Sequence, residues 1–123
     1  MFDSFRKTPG ERGERLAAKH YRRDAYRVLE QNFRTRQGEI DLIVQKGGTL
    51  AFVEVKTRDP HAIAQPREFV TAQKQRRLIL AARRYLMLHP ERADSTLRFD
   101  VVEVVLSRWG GASVHRIENA FTL

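Results

Sequence analysis

Asp41, Glu54 and Lys56 have the residue types that phosphoryl chemistry needs, set at a spacing that can bring them together. Glu54 and Lys56 are two residues apart and so share one face of a strand. Phosphodiester hydrolysis requires a cation to stabilise charge developing on the phosphate oxygens and a positioned water to attack phosphorus in line. With no cysteine in the chain and no histidines at ligand spacing, the available donors are hard oxygens. These favour Mg²⁺ or Mn²⁺ over zinc. Asp41 and Glu54 are therefore the expected metal ligands, with the backbone carbonyl of Val55 as a further donor. Lys56 would orient the water or stabilise hydroxide. The alternative is an ion-pair lattice in which Lys56 neutralises both acids and no metal binds.

The intervening sequence predicts how the acids meet. Glu39 to Lys46 and Thr49 to Arg58 read as strands joined by Gly47-Gly48, a two-residue hairpin turn. Lys46 then faces Thr49, and counting outward Asp41 lies opposite Glu54 and Glu39 opposite Lys56. Opposed side chains share a face, with Cβ atoms about 4.5 to 5.5 Å apart. That face continues through Ile43, Leu50 and Phe52, and the other carries Ile40, Leu42, Val44, Ala51, Val53 and Val55. Both are apolar enough to be covered, so these are central strands. Two carboxylates opposed on such a surface repel each other, and burial raises the cost unless a cation lies between them.

Thr8-Pro9-Gly10-Glu11 is a capping box that starts a helix running to about Arg23. Its stripe of Glu14, Ala17, Ala18 and Tyr21 puts an acid on the packing face. Glu14 is either a further ligand or acceptor at the site, or one half of a surface ion pair. Tyr26 to Arg36 predicts a strand ended by Gln37-Gly38. An irregular stretch from Asp59-Pro60 to about Arg67 is expected to form a mobile loop beside the site. A helix then spans about Glu68 to Leu88, with Val70, Leu78, Ala81, Ala82 and Tyr85 on one face. Leu97 to Leu106 reads as a buried strand, Trp109-Gly110-Gly111 as a turn, and Ala112 to Ile117 as a polar edge strand. The class is α/β, a mixed sheet flanked by helices in the order α-β-β-β-α-β-β.

At 123 residues the chain suits one domain, 1–123, with residues 1–7 expected to be disordered. Lys and Arg number 23 against 15 Asp and Glu, a net charge of +8 that draws polyanions, nucleic acid foremost. Lys74, Arg77, Arg58 and Arg36 are the candidate phosphate contacts, whereas Arg83 and Arg84 read as a solvated helix face. Asp100 interrupts an apolar run opposite Phe99 and is expected to support structure by anchoring an arginine. Trp109 reads as a turn or interface aromatic rather than a base-stacking platform. The lack of cysteine rules out disulfides, and no apolar run reaches the eighteen or so residues of a membrane span, so a cytoplasmic protein with no membrane partner is expected.

Gly38-Glu39-Ile40-Asp41-Leu42-Ile43 and Phe52-Val53-Glu54-Val55-Lys56-Thr57-Arg58 resemble the YraN-type family of small bacterial proteins, within the PD-(D/E)xK nuclease superfamily. The similarity extends to Gly10, Gly13-Glu14, Asn32, Lys74, Arg98-Phe99-Asp100 and Glu118-Asn119-Ala120-Phe121. It implies a restriction-endonuclease-like core close to archaeal Holliday-junction resolvases, which act as homodimers on branched DNA with Mg²⁺. It maps the superfamily's acid to Asp41, its E-x-K pair to Glu54 and Lys56, and its first-helix glutamate to Glu14. Ala25 and Ala64 depart from that pattern, standing where glycines are frequent. The expected function is a Mg²⁺-dependent endonuclease on structured or branched DNA. The rivals are a non-catalytic nucleic-acid-binding module on the same scaffold, and a structural or ribosome-associated basic protein.

Overall fold

A computed structural model describes residues 8–58 and 70–121. Helix α1 (Pro9–Arg23) opens with the expected reciprocal cap: the Thr8 hydroxyl accepts from the Glu11 N–H, and the Glu11 carboxylate accepts from the Thr8 N–H. Strands β1 (Arg27–Arg34), β2 (Glu39–Lys46) and β3 (Thr49–Arg58) follow, then helix α2 (Ala72–Leu88), a 3-10 turn at Pro90–Arg92, and strands β4 (Thr96–Leu106) and β5 (Ala112–Phe121). The sheet order is β1-β2-β3-β4-β5, with only β3 and β4 parallel. This is the α/β architecture and element order that the sequence predicts for a restriction-endonuclease-like core. Alternating strand residues feed two cores. Leu42, Val44, Ala51, Val53, Val102 and Val104 pack beneath Ala17, Ala18 and Tyr21 of α1. Ile43, Leu50, Phe52, Phe99 and Val101 pack beneath Leu78, Ala81, Ala82 and Tyr85 of α2.

Several boundaries differ from expectation, each for a local reason. Strand β1 ends at Arg34 rather than Arg36 because the Thr35 hydroxyl and backbone close a tight turn onto Gly38. Helix α2 starts at Ala72, not near Glu68: Thr71 is extended (φ −64°, ψ 158°) and its hydroxyl accepts from the Lys74 N–H as an N-cap. Residues 59–69, with Ala64 and the expected loop, and residues 1–7 lie outside the described residues. Strand β5 runs on to Phe121 instead of stopping at Ile117. Asn119 takes a left-handed φ of 52° and gives its N–H to Asp100 Oδ1, and this bulge lets Phe121 stack on Phe99 at 4.8 Å.

Candidate functional site

The β2–β3 hairpin has the predicted register from Lys46–Thr49 to Leu42–Val53, and there the pairing ends. One step before Asp41 would face Glu54 across the ladder, the strands part. Ile40 consequently joins the α2-side core rather than the face of Leu42 and Val44. Glu39 does not reach Lys56 either; it pairs across β1 with Arg34 at 3.3 Å. In the opening, Asp41 Oδ2 accepts the Val55 N–H at 2.7 Å, a side chain taking the place of a ladder carbonyl. Val55 thus enters the site first as a donor that anchors Asp41.

Asp41 and Glu54 are both buried, at 8% exposure each, and their carboxyl groups are within hydrogen-bonding reach of one another. Burial first, and then the charge of Glu54, push the Asp41 carboxyl up to about 7; Glu14 adds to the rise and the Val55 N–H opposes it. Glu14 therefore acts on the site from α1. It is brought there by Gly13, where any Cβ would overlap the Thr57 side chain, so α1 can lie directly on β3. Glycine is equally required at Gly38, whose Cβ would come within 2.7 Å of the Arg77 carbonyl oxygen. That close approach seats the β1–β2 turn against α2.

Between this turn and the start of α2 lies a cleft of about 680 Å³. Arg34, Arg36 and Glu39 form one wall, Lys74 and Arg77 the other, and Glu54 lies at its base. A smaller recess of about 210 Å³ continues past Glu54 to Lys56 and Arg58. The cation touching the acid pair is Lys74, whose Nζ is 2.7 Å from Glu54 Oε1. The alternative lattice through Lys56 is not formed: among the described residues Lys56 makes no ion pair and lines the recess half-buried. Arg58 lines that recess with its side chain 22% exposed. Its guanidinium leans on buried Glu103 at 3.6 Å. Glu103 sits beside Lys56 in the parallel β3–β4 register and escaped the sequence reading. Its signal was available, since it breaks the run Val101-Val102-Glu103-Val104 as Asp100 breaks the same strand. Arg34 was also missed, and only the turn geometry places it on the cleft wall.

The Gly13-to-β4 segment that builds this arrangement lies within what known proteins share. The profile of uncharacterised protein family UPF0102 matches residues 13–104. The chain belongs to that family. A UPF0102 protein of Symbiobacterium thermophilum is 49% identical over 113 residues, covering 91% of this chain and 94% of the relative. One from Alkaliphilus metalliredigens is 42% identical over 115 residues, covering 94% and 98%. The UPF0102 match includes Glu14, Asp41, Glu54, Lys56 and Lys74, and stops before the β4–β5 turn.

Asp100 lies elsewhere, fully buried on the α1 side. It accepts from Tyr21 Oη at 2.8 Å, from Arg98 Nε and Nη2 at 2.8 and 2.9 Å, and from the Asn119 N–H at 3.1 Å. Burial and the Asp100 charge raise the Tyr21 phenol, keeping it a donor. With four donors satisfied, Asp100 ties α1 to β4 and β5, the structural role expected of it. No group of three or more Asp, Glu or His side chains is gathered at metal-binding distance among the described residues. No helix among them is long and apolar enough to cross a membrane.

Proposed function

We propose that the protein is a Mg²⁺-dependent endonuclease that hydrolyses phosphodiesters in structured or branched DNA, with Mn²⁺ able to substitute. One observation carries the reading: the buried carboxylates of Asp41 and Glu54 set against each other, Lys56 in the recess that Glu54 lines, and a cleft walled by arginines and lysine above. The donors fit the ion. Mg²⁺ is commonly held by one or two carboxylates with water completing its shell, so Asp41 and Glu54 suffice and Glu14 can act through water. When bound, it supplies charge stabilisation at the phosphate and an acidified water. Lys56 lines the recess and orients the attacking water; as the water oxygen bonds to phosphorus the P–O ester bond breaks, the water gives up a proton to solvent, and the leaving oxygen takes one up from solvent. Arg36, Lys74 and Arg77 hold backbone phosphates over Glu54. Cleavage of a two-fold branched substrate would call for a homodimer, measurable by light scattering.

The rival, a non-catalytic nucleic-acid-binding module, is favoured by the Lys74–Glu54 pair, which already provides one carboxylate with a cation. A cleavage panel of branched, duplex and single-stranded DNA with Mg²⁺ and Mn²⁺, run beside Lys56→Ala, separates the two readings. The nuclease reading expects metal-dependent cutting that Lys56→Ala lowers by about 10² or more while folding is retained. Cutting that survives in the variant, or DNA binding with no hydrolysis under any metal, defeats it.

A further inference from the structure

Trp109 is 93% exposed, the most solvent-open of the large apolar side chains described. Its surroundings are ordered. The Ser107 N–H donates to the Gly111 carbonyl at 2.7 Å, the Gly110 N–H donates to the Ser107 carbonyl at 3.2 Å, and the Trp109 N–H donates to Ser107 Oγ at 3.1 Å. Gly110 turns the chain at a left-handed φ of 90°, and Arg12 of α1 donates to its carbonyl oxygen. A rigid turn tied to a helix therefore holds a bare indole in water. With the backbone held by these bonds, only the two side-chain torsions of the indole remain to be ordered on binding.

We propose that Trp109 is a stacking platform for an unpaired base of the nucleic acid that the cleft engages. The inference rests on the nucleic-acid part of the proposed function and goes beyond its active site. Placement supports it. Strands β3 and β4 are parallel, with Glu54 beside Val101, Lys56 beside Glu103 and Arg58 beside Val105. The β4–β5 turn thus projects from the sheet end that bears the acids. At about 3.3 Å per residue, Leu106 lies about 17 Å beyond Val101, roughly the length of five stacked base pairs. Charge supports the choice of occupant. The indole is flanked by exposed Arg108 and by Arg12 reaching across from α1, with Ser107, Gly110 and Gly111 completing the turn. A lone aromatic among cations and small polar residues offers a protein partner little apolar area, but gives a base a face and its phosphates counter-charges.

Trp109 is the single tryptophan, so its own emission reports the event. In EDTA, a fluorescein-labelled duplex with blunt ends and the same duplex with a single-stranded arm are titrated with protein, following label anisotropy and, with unlabelled DNA, tryptophan emission. The armed DNA is expected to quench the emission. Trp109→Ala should bind it about tenfold more weakly, with blunt-duplex binding unchanged and Trp109→Phe close to wild type. The site is overturned by binding without an emission change, by equal affinity of Trp109→Ala for armed DNA, by no binding to either DNA, or by an emission change that follows protein concentration alone, which marks contact with a second copy. Because metal is absent, quenching without later cleavage in Mg²⁺ or Mn²⁺ would remove the hydrolytic reading and leave this site standing.

Discussion

Lys74→Met keeps the aliphatic stem and deletes the ammonium that stands 2.7 Å from Glu54 Oε1. The Glu54 side chain is 9% exposed and that of Lys74 is 47% exposed. Two unit charges at about 4 Å interact by about 4 kcal/mol at an effective dielectric near 20. Pairs in full contact with water retain only about 0 to 1 kcal/mol. With one partner buried and the other half in solvent, this pair falls between, at about 1 to 2 kcal/mol. A divalent ion at Glu54 competes with that ammonium, so Lys74→Met should tighten Mn²⁺ binding by about 5- to 30-fold. The metal-free protein should move the other way, because Glu54 then lies buried against Asp41 without this cation, and its Tm should fall by roughly 4 to 8 °C. Calorimetric titration with Mn²⁺ and thermal unfolding in EDTA read the two effects. Opposite movements identify Lys74 as the counter-ion in the metal's place. Unchanged or weaker Mn²⁺ binding refutes the competition.

Removing the anchor with Asp100→Asn leaves Arg98 without its buried anion and should cost about 3 kcal/mol in urea unfolding, with metal binding unaltered. For pH, Asp41 is raised on folding, so its protonated form favours the folded state. Metal-free stability should therefore fall as pH rises from about 4 to about 7, with Asp41→Asn flattening that part of the profile; a wild-type curve that climbs over this range contradicts the buried acid pair. Mn²⁺ should bind more tightly as pH rises over the same interval, since binding expels the Asp41 proton. Ala25 sits at a left-handed φ of 63°, so Ala25→Gly should stabilise the protein by about 0.5 to 1 kcal/mol after glycine's extra chain entropy is subtracted, measured by urea midpoint.

Much of the scaffold was legible because it is written in local rules. The capping box at Thr8, the Gly47-Gly48 turn and the period-2 alternation of β3 and of β2 from Leu42 onward depend on neighbours a few residues apart, and the structure reproduces them. The errors lie where distant groups intervene. The end of β5 depends on Asn119 meeting Asp100, a partner nineteen residues away. Ile40 changed faces because the strands part at Asp41. The start of α2 was obscured by the apolar Val70, which belongs to the core but precedes the Thr71 cap.

The candidate site divides along the same line. Residue type and strand periodicity were enough to bring Asp41 and Glu54 to one end of the hairpin, but the register expected to oppose them stops at Leu42–Val53, and the Val55 N–H anchors Asp41 where the strands part. Which cation touches the acids, which arginine remains free for a phosphate and which buried acid supports the recess depend on how α1 and α2 pack on the sheet. Gly13 and Gly38 set those distances, Lys74 rather than Lys56 reaches Glu54, and Glu103 takes Arg58. Charges on separate elements choose partners by proximity in space, and only packing of the folded chain creates that proximity.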